Sequence, residues 1–340
     1  MKKIFRFLLF LMIITAGLAV ASYYYINEEL NENIPATDTI IITFPNNTNL
    51  DKCVGILNQS GIFEPGWLYE LIVKGYSKLY TQHVFAGSYK FKPGMTNKDI
   101  LNSIFSGENL FIVRITYPEG ITLNKFAEIT ATKFRIKKDR FLRLVNSPEA
   151  LRKRGIKART AEGYLMPSTY EFFFNPGLEK IIDKLFNTQD KLWKEKYAQR
   201  AKRMGWSRHK ILTLASIIEA ETPVIDERAR ISGVYHNRLN KGMLLQADPT
   251  VQYAVGGKQR LLYSDLEINN PYNTYKYTGL PPGPINSPSL SSIEAALNPE
   301  KHDFLFFVAK GDGTNRHNFA RNHNEHLTFV AQYRRNLRRD

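Results

Sequence analysis

The sequence contains almost no cysteine. Cys53 is alone among 340 residues, so an intrachain disulfide and a multi-cysteine metal site are both excluded. One cysteine carries no redox signature and fits either side of a membrane. Acidic residues are also few, with 32 Asp and Glu against 47 Lys and Arg. A hydrophobic fraction of 43% nevertheless excludes wholesale disorder and allows two or three domains with real cores.

The net charge of +15 narrows the possible partners. Most such excess charge is simply solvated, and the specific alternatives are nucleic acid, anionic lipid headgroups and an acidic polymer. The basic residues look spread along the chain, apart from runs at 134–140 and 334–340. A spread of this kind argues against a dedicated nucleic-acid-binding helix.

Charge is absent from Phe7 to Tyr25, a run of 19 residues. That length nearly matches the ~20 residues that cross a bilayer. Basic residues precede the run at positions 2, 3 and 6, and glutamates follow it at 28, 29 and 32. The positive-inside rule then predicts a transmembrane anchor over 1–25, with the N-terminus in the cytoplasm and the rest of the chain outside.

A cleaved signal peptide is the alternative for the same segment, because Ala19–Ala21 resembles a small-residue cleavage site. The uncharged run is longer than the usual ~7–15-residue signal-peptide core, which favours an uncleaved anchor. Either way the bulk of the protein is exported, and nucleic acid is not expected as a partner.

Periodicity along the remaining chain indicates an α+β protein with two folded parts. Residues 26–38 are polar and contain proline, as a linker does. A small module over 39–108 begins with a strand at 39–44 and a helix capped by Thr48 or Asn49 and stopped by Gly61. It continues with a helix inside 67–76, a strand at 87–91, and a helix from Thr96 to Gly107 with a capping-box start.

A larger domain is expected over 111–335. It begins with a strand, a turn at Pro118–Gly120 and a helix starting near Thr122. Residues 159–177 mix aromatics with Gly and Pro, which favours strand and loop, and 178–206 reads as an exposed helix. An amphipathic helix covers 211–222, and another is expected to start at Pro223, with Thr222 as its cap, and to end at Gly242.

Two glutamates stand at the C-terminal end of the amphipathic helix, where the helix dipole disfavours negative charge. Because side chains lean over positions i−3 and i−4, Glu219 lies above small residues, whereas Glu221 lies above two isoleucines. Glu219 is thus the better candidate for a carboxyl group at the floor of a cleft. Apolar neighbours and the helix end would raise its pKa, as a general acid requires. The alternative is that both glutamates are solvated and pair with Arg228 or Arg230.

Three loops are rich in Asn, Gln, Asp, Tyr and Pro, at 236–256, 270–289 and 297–326. Amides and carboxylates hydrogen-bond paired hydroxyls, and tyrosine rings stack on sugar faces, so these loops suit a carbohydrate cleft. Histidines at 317, 323 and 326 suggest a metal, but no HExxH pattern accompanies them. We therefore expect neither a metal site nor a cofactor.

Several long motifs now point to one family. "LASIIEAET", "NRLNKGMLLQADPTVQYAVG", "YNTYKYTGLPPGPI" and "FLFFVAKGDGTNRHNF" together resemble the MltG (YceG-like) family of endolytic murein transglycosylases, and "PEGITL" and "EGYLMPSTY" add to the match. The resemblance covers roughly 111–330 and extends loosely to 39–108, which is similar to the family's LysM-like subdomain. It implies a single-pass protein of the bacterial cytoplasmic (inner) membrane whose catalytic domain faces peptidoglycan on the periplasmic side.

The resemblance also implies a site. The family's catalytic glutamate falls on Glu219, which would serve as general acid and then as base, without metal. Residues expected around the cleft are Glu162, Gln246, Asp248, Thr250, Tyr253, Asn273 and Tyr275. Asp248 could equally be a structural helix cap. Expected partners are peptidoglycan glycan strands, membrane lipid and cell-wall synthases.

Two other functions stay open at this point. The first is a membrane-tethered peptidoglycan-binding scaffold whose enzyme domain is inactive. The second is a hydrolytic muramidase that uses Glu219 with Asp248 as a carboxylate pair.

Overall fold

The structure, a computed structural model, describes residues 2–62, 67–79, 84–173, 176–257 and 260–338. The chain divides into two compact units. The N-terminal unit comprises Met1–Arg114 with Glu171–Pro176, and the C-terminal unit comprises Ile115–Tyr170 with Gly177–Asp340. In the described part of the chain, helices are interspersed with three two-stranded sheets. The predicted α+β class is confirmed, whereas the LysM-like character of the small module stays a prediction.

The N-terminal unit is built around one antiparallel strand pair. Its elements are α1 (Lys2–Asn31), β1 (Ile40–Phe44), α2 (Leu50–Gln59), α3 (Trp67–Ser77), β2 (Gly87–Phe91) and α4 (Asn97–Ser106). β1 pairs with β2 so that Ile40 lies opposite Phe91. Side chains from both strands and from α2 and α4 form a buried core that includes Phe44, Leu57, Tyr89, Phe91, Ile100 and Ile104.

The helix caps of this unit follow the sequence signals. The side chain of Asn49 accepts from the Lys52 N–H at the start of α2. Thr96 and Asp99 form the predicted capping box at the start of α4, and Gly107 ends that helix in the left-handed conformation. Each local signal satisfies helix-end N–H or C=O groups that would otherwise lack partners.

The first helix runs further than the sequence suggested. α1 continues to Asn31, and its segment Lys3–Asn31 is long and apolar enough to be a membrane span or a signal sequence. The side-chain amide of Asn97 donates to the Glu29 carbonyl at 2.8 Å, and Ile34 is buried in the core of the unit. The segment 26–38, expected to be a linker, is therefore helical as far as Asn31, and these contacts hold it against α4.

Strands β3 (Ile112–Thr116) and β4 (Thr169–Phe173) pair with each other. The helices of the C-terminal unit are α5 (Leu123–Phe134), α6 (Lys138–Val145), α7 (Pro148–Lys153), α8 (Leu178–Leu192), α9 (Ala198–Arg203), α10 (Arg208–Glu221), α11 (Arg228–Asn240), α12 (Asp248–Ala254), α13 (Leu290–Leu297) and α14 (His323–Asn336). Its hairpin consists of β5 (Phe306–Ala309) and β6 (His317–Ala320).

Helix α10 lies at the centre of the C-terminal unit, packed against α11, α12 and α13. Every residue from 211 to 218 is buried, so the prediction of an amphipathic helix is wrong. Its polar residues are tolerated because their hydroxyls are satisfied internally. Thr213 donates to the His209 carbonyl at 2.7 Å, and Ser216 donates to the Thr213 carbonyl at 2.8 Å. This buried helix holds its last turn in a fixed position.

Two neighbouring segments also differ from expectation. The helix over 178–206 is interrupted by a π-turn at Trp193–Tyr197, and one face of α8 is buried by apolar residues such as Phe186. The helix expected at Pro223 starts at Arg228 instead, after a 3-10 turn at Ile225–Glu227. Thr222 ends α10 and its hydroxyl accepts from the Val224 N–H, so it shapes the connection rather than capping the next helix.

Candidate active site

Glu219 lies in the last turn of α10 and is held by four hydrogen bonds. The guanidinium of Arg228 donates to both carboxylate oxygens, from Nη1 to Oε2 at 2.9 Å and from Nη2 to Oε1 at 3.1 Å. Ser289 donates to Oε2 through its backbone N–H at 2.9 Å and through its hydroxyl. The side chains of Glu219 and Arg228 are 8% and 6% exposed. This is a buried, bidentate ion pair with one fixed geometry.

These contacts differ from the apolar setting expected from the sequence. The predicted pairing with Arg228 does occur, but the glutamate is buried rather than solvated. Ser289, the N-cap of α13, was not foreseen as a contact of Glu219. The only signal for it in the sequence was a serine before an apolar helical segment, which predicts a cap but not a long-range partner.

Arg228 has further partners besides Glu219. Its Nη1 lies within 3.0 Å of the hydroxyls of Ser289, Ser291 and Ser292 at the start of α13. Its Nη2 also approaches the Thr222 carbonyl at 3.4 Å. The guanidinium thus keeps several neutral acceptors whatever the protonation state of Glu219.

The turn at Pro118–Gly120 packs against the side chain of Glu219. The Gly120 N–H donates to the Ser287 carbonyl at 2.9 Å, and a β-carbon at Gly120 would lie 3.4 Å from Cγ of Glu219. Its φ of +70° favours glycine at this close approach. Glu119 of the same turn is exposed, and partial burial, followed by the negative charge of Glu219, raises its pKa. Glu119 was not among the residues predicted for the site.

A cavity of about 760 Å³ opens beside the Glu219 turn. Its lining includes Gly120 and Ala220, which neighbour Glu219 in space and in sequence. The other lining residues are Thr122, Asn124, Lys125, Glu128, Lys138, Glu162, Pro249, Gln252, Tyr253, Gly256, Gly257, Ile285 and Asn286. The lining thus includes amides and hydroxyls that can hydrogen-bond a ligand, an aromatic ring, and charges of both signs.

Glu162 is a second buried carboxyl group of this cavity. It is 5% exposed, and its Oε1 accepts from the Leu123 N–H at 2.8 Å at the start of α5. Burial raises the pKa of Glu162 to about 8, against hydrogen bonds from the Leu123 and Gly163 backbones that act in the opposite direction. At neutral pH this group is mostly a neutral acid that can donate as well as accept a hydrogen bond.

The other predicted cleft residues separate into three sets. Tyr253 lines the cavity, with its ring 4.9 Å from that of Tyr272. Thr250 and Asn273 are fully buried, and their side chains bond to protein groups such as the Ala247 and Ile268 carbonyls, so both fix loops.

Gln246, Asp248 and Tyr275 form the third set. The Tyr275 hydroxyl donates to Asp248 at 2.5 Å, and Gln246 has a left-handed φ of +51°. The N-cap of α12 is Ala247 and Asp248 is the first residue of the helix, so the alternative that Asp248 is a structural N-cap is wrong.

Glu221 belongs with this third set rather than with Glu219. The Tyr235 hydroxyl donates to its Oε1 at 2.6 Å. Burial, and secondarily the charge of Asp248, raise the pKa of Glu221 to about 7, while the Tyr235 hydrogen bond opposes the shift. The charge of Asp248 therefore affects the pKa of Glu221. The charge of Glu219 instead affects the pKa of Glu119.

The three histidines have other neighbours. Nδ1 of His317 lies 2.9 Å from Glu227, whereas His323 and His326 lie against the ring of Phe306. Within the described ranges, no group of three or more His, Cys, Asp or Glu side chains is arranged to hold a metal ion.

This chain is similar to known proteins both in sequence and in fold. An "Endolytic murein transglycosylase" of Bacillus subtilis (strain 168) is 36% identical over 294 residues, which cover 81% of this chain and 80% of that relative. One of Streptococcus pneumoniae (serotype 2, strain D39) is 30% identical over 362 residues, which cover 97% of this chain and 65% of that longer relative.

A crystal structure of a yceG-like protein from Listeria monocytogenes superposes with a TM-score of 0.60 at 33% identity, covering 86% of this chain and 99% of that one. The YceG-like family itself matches residues 42–332, a span that contains the Glu219 turn and the whole cavity lining. On this match and these relatives, the chain belongs to the YceG-like family.

Proposed function

We propose that this protein is a membrane-anchored endolytic murein transglycosylase. It would cleave the bond between N-acetylmuramic acid and N-acetylglucosamine within nascent glycan strands and leave 1,6-anhydro ends. The name of the curated relatives supports the reaction class. The observation that carries the assignment of Glu219 is its buried, fixed carboxyl group between the Gly120 turn and Ala220 at the edge of the 760 Å³ cavity.

In the first step, protonated Glu219 gives its proton to the glycosidic oxygen as the bond from that oxygen to the muramic C1 breaks. An oxocarbenium-like state develops at C1. In the second step, the 6-hydroxyl of the same sugar attacks C1, and its proton passes to the Glu219 carboxylate. No water is consumed and Glu219 ends protonated, so one carboxyl group is sufficient.

The surroundings of Glu219 suit a group that alternates between two protonation states. Arg228 stabilises the carboxylate that exists between the steps. When Glu219 is neutral, the three serine hydroxyls and the Thr222 carbonyl still solvate the guanidinium. A buried cation is therefore never left without partners, which would otherwise be costly.

The cavity supplies the remaining requirement, which is to hold the 6-hydroxyl near C1 and exclude water. Glu162 and Tyr253 line it and would contact the sugar directly. Gln246 and Asp248 are exposed, and with Tyr275 they would extend the binding surface. Thr250 and Asn273 would act indirectly by fixing the loops.

The proposed anchor is α1, with its basic N-terminus in the cytoplasm and the chain that follows it on the outer side of the cytoplasmic membrane. Residues 39–108 would be the LysM-like module. The intact mass of the protein from a membrane fraction tests the anchor, because removal of the first ~20 residues by signal peptidase would reduce it.

Digestion of uncrosslinked glycan strands followed by mass spectrometry tests the reaction. Anhydro ends support transglycosylation, reducing ends indicate a hydrolase, and intact strands indicate a binding scaffold. Glu219→Gln keeps the size of the side chain but cannot cycle a proton, so it should abolish anhydro ends. Glu195→Gln, at an exposed surface position, is the matched control. Anhydro ends at the wild-type rate from Glu219→Gln would refute the assignment.

A further inference from the structure

The positive charge of this protein is concentrated in one part of the chain. Residues 121–210 contain 22 of the 47 basic residues and 9 of the 32 acidic ones, so thirteen of the fifteen net charges fall there. The even spread expected from the sequence is therefore wrong. These residues lie largely on α5 to α9 of the C-terminal unit.

In one concave part of this region, all the charged lining residues are basic. A cavity of about 470 Å³ is lined by Arg152, Lys157 and Arg159 on an apolar floor that includes Leu151 and Ile156. Its lining contains no acidic residue. We call it the cationic pocket.

The three cations of the cationic pocket are exposed and available. Across the described residues, no carboxylate lies within salt-bridge distance of Arg152, Lys157 or Arg159. Their neighbour Arg154 is the contrasting case, because it is buried against Asp183 and Asp190. The basic residues between 152 and 159 are therefore divided between an internal ion-pair network and an exposed surface.

The cationic pocket and the cavity beside Glu219 are lined by neighbouring positions of the chain. Arg159 lines the pocket and Glu162 lines the cavity, and three residues of extended chain span at most about 11 Å. The connecting segment is fixed, because the buried Ala161 donates its N–H to Oδ1 of Asn146 at 2.8 Å. This short spacing is what would let a substituent on a sugar bound in the cavity reach the pocket.

We propose that the cationic pocket binds the carboxylates of the peptide stems on a murein strand whose glycan lies beside Glu219. This inference rests on the proposed function. Muramic acid carries its peptide on a lactyl ether, and such stems combine carboxylates with small apolar side chains. Cations pair with the carboxylates, and the floor formed by Leu151 and Ile156 accommodates the methyl groups. The pocket would make the enzyme prefer peptide-bearing strands over bare glycan.

The test compares uncrosslinked strands with the same strands stripped of peptides by an amidase. The full-length protein in detergent is assayed as wild type, as Arg152→Gln/Lys157→Gln/Arg159→Gln, and as the control Lys180→Gln/Lys184→Gln/Lys191→Gln. The control removes three charges from a separate surface hollow on α8 that also contains Asp183.

The pocket variant should lose about tenfold in kcat/KM on peptide-bearing strands, mainly through a higher KM, since the pocket lies away from the reacting bond. Its activity on stripped strands should not change, which a folding defect could not reproduce. The lysine control should behave as wild type on both substrates.

Binding is measured as well, in a Glu219→Gln background that leaves the strands intact. An unchanged preference in the pocket variant, or no preference in the wild type, would overturn the inference. A variant that keeps its strand preference but no longer binds phosphatidylglycerol vesicles would assign the pocket to the membrane surface instead. If the wild type cleaves neither substrate, the proposed function fails, and the binding preference alone decides the role of the pocket.

Discussion

The guanidinium of Arg228 donates to both carboxylate oxygens of Glu219, with N–O distances of 2.9 and 3.1 Å. Both side chains are less than a tenth exposed. The two residues come from consecutive helices, so the pair fixes the end of α10 against the start of α11. In the mechanism proposed above, Glu219 must be held in one place to exchange protons with the sugar, and this pair fixes its position.

Substitution of Arg228 should affect stability and activity together. Arg228→Ala leaves the buried Glu219 without its counter-ion, which should lower the free energy of unfolding by about 3–5 kcal/mol. Arg228→Lys keeps the charge but loses the planar fork, so it should fold better and still lose activity, on the order of a hundredfold. Urea unfolding and the rate of anhydro-end formation measure the two effects.

Arg230 provides the control on the same helix. Its pair with Glu300 is 42% and 38% exposed, so Arg230→Ala should change stability by at most about 1 kcal/mol and leave the rate unaltered. Equal losses from Arg228→Ala and Arg230→Ala would contradict a special role for the buried pair.

Ser289 has two functions that can be separated. Its hydroxyl donates to Glu219, and its side chain also accepts from the Ser292 N–H as the N-cap of α13. Ser289→Ala should cost about 1 kcal/mol as a lost cap and should also lower the turnover rate. Asn322→Ala removes the N-cap of α14 and should cost a similar free energy with no change in rate. If both variants turn over substrate at the wild-type rate, Ser289 is a cap only.

Local features of this protein could be predicted from the sequence, whereas contacts between distant segments could not. The capping box at Thr96 and the helix start near Thr122 depend on residues within four positions, and both were predicted correctly. The choice of Glu219 over Glu221 was made from the residues one turn before each of them, and it stays a prediction. Its contacts with Ser289, 70 positions away, and with the Gly120 turn depend on packing that no short pattern encodes. The burial of Thr213 and Ser216 was not predicted for a related reason. A pattern of apolar residues does not show that a hydroxyl can be buried when it bonds to its own helix.

The carboxyl group of Glu119 should tune the pH dependence of the reaction. Its raised pKa reflects burial first and the negative charge of Glu219 second. Ionisation of Glu119 therefore adds a negative charge beside Glu219 as the pH rises, and this step should appear in the pH–rate profile. In Glu119→Gln that step is absent, so the acidic side of the profile should differ from that of the wild type. Glu108→Gln, in the N-terminal unit, is a control. Superimposable profiles for wild type and Glu119→Gln would contradict the coupling.

The buried Glu162 makes a prediction about stability. Its pKa is about 8 in the folded protein and 4.5 in the absence of the fold, so the native state holds the proton more tightly than the unfolded chain. The stability that this proton contributes is complete below pH 4.5 and is lost as the pH rises toward 8. Glu162→Gln keeps an acceptor for the Leu123 N–H but cannot ionise, so the variant should lack this loss.

We therefore expect Glu162→Gln to match the wild type near pH 4.5 and to exceed it by about 3 kcal/mol at pH 7. Urea unfolding of both proteins at the two pH values measures the difference directly. Glu300→Gln, at a half-buried salt bridge, controls for the removal of one carboxyl group and should show no comparable gain. A gap between wild type and Glu162→Gln that is the same at both pH values would mean that Glu162 is ionised in the folded protein, and its part in the cavity would then be that of a carboxylate acceptor.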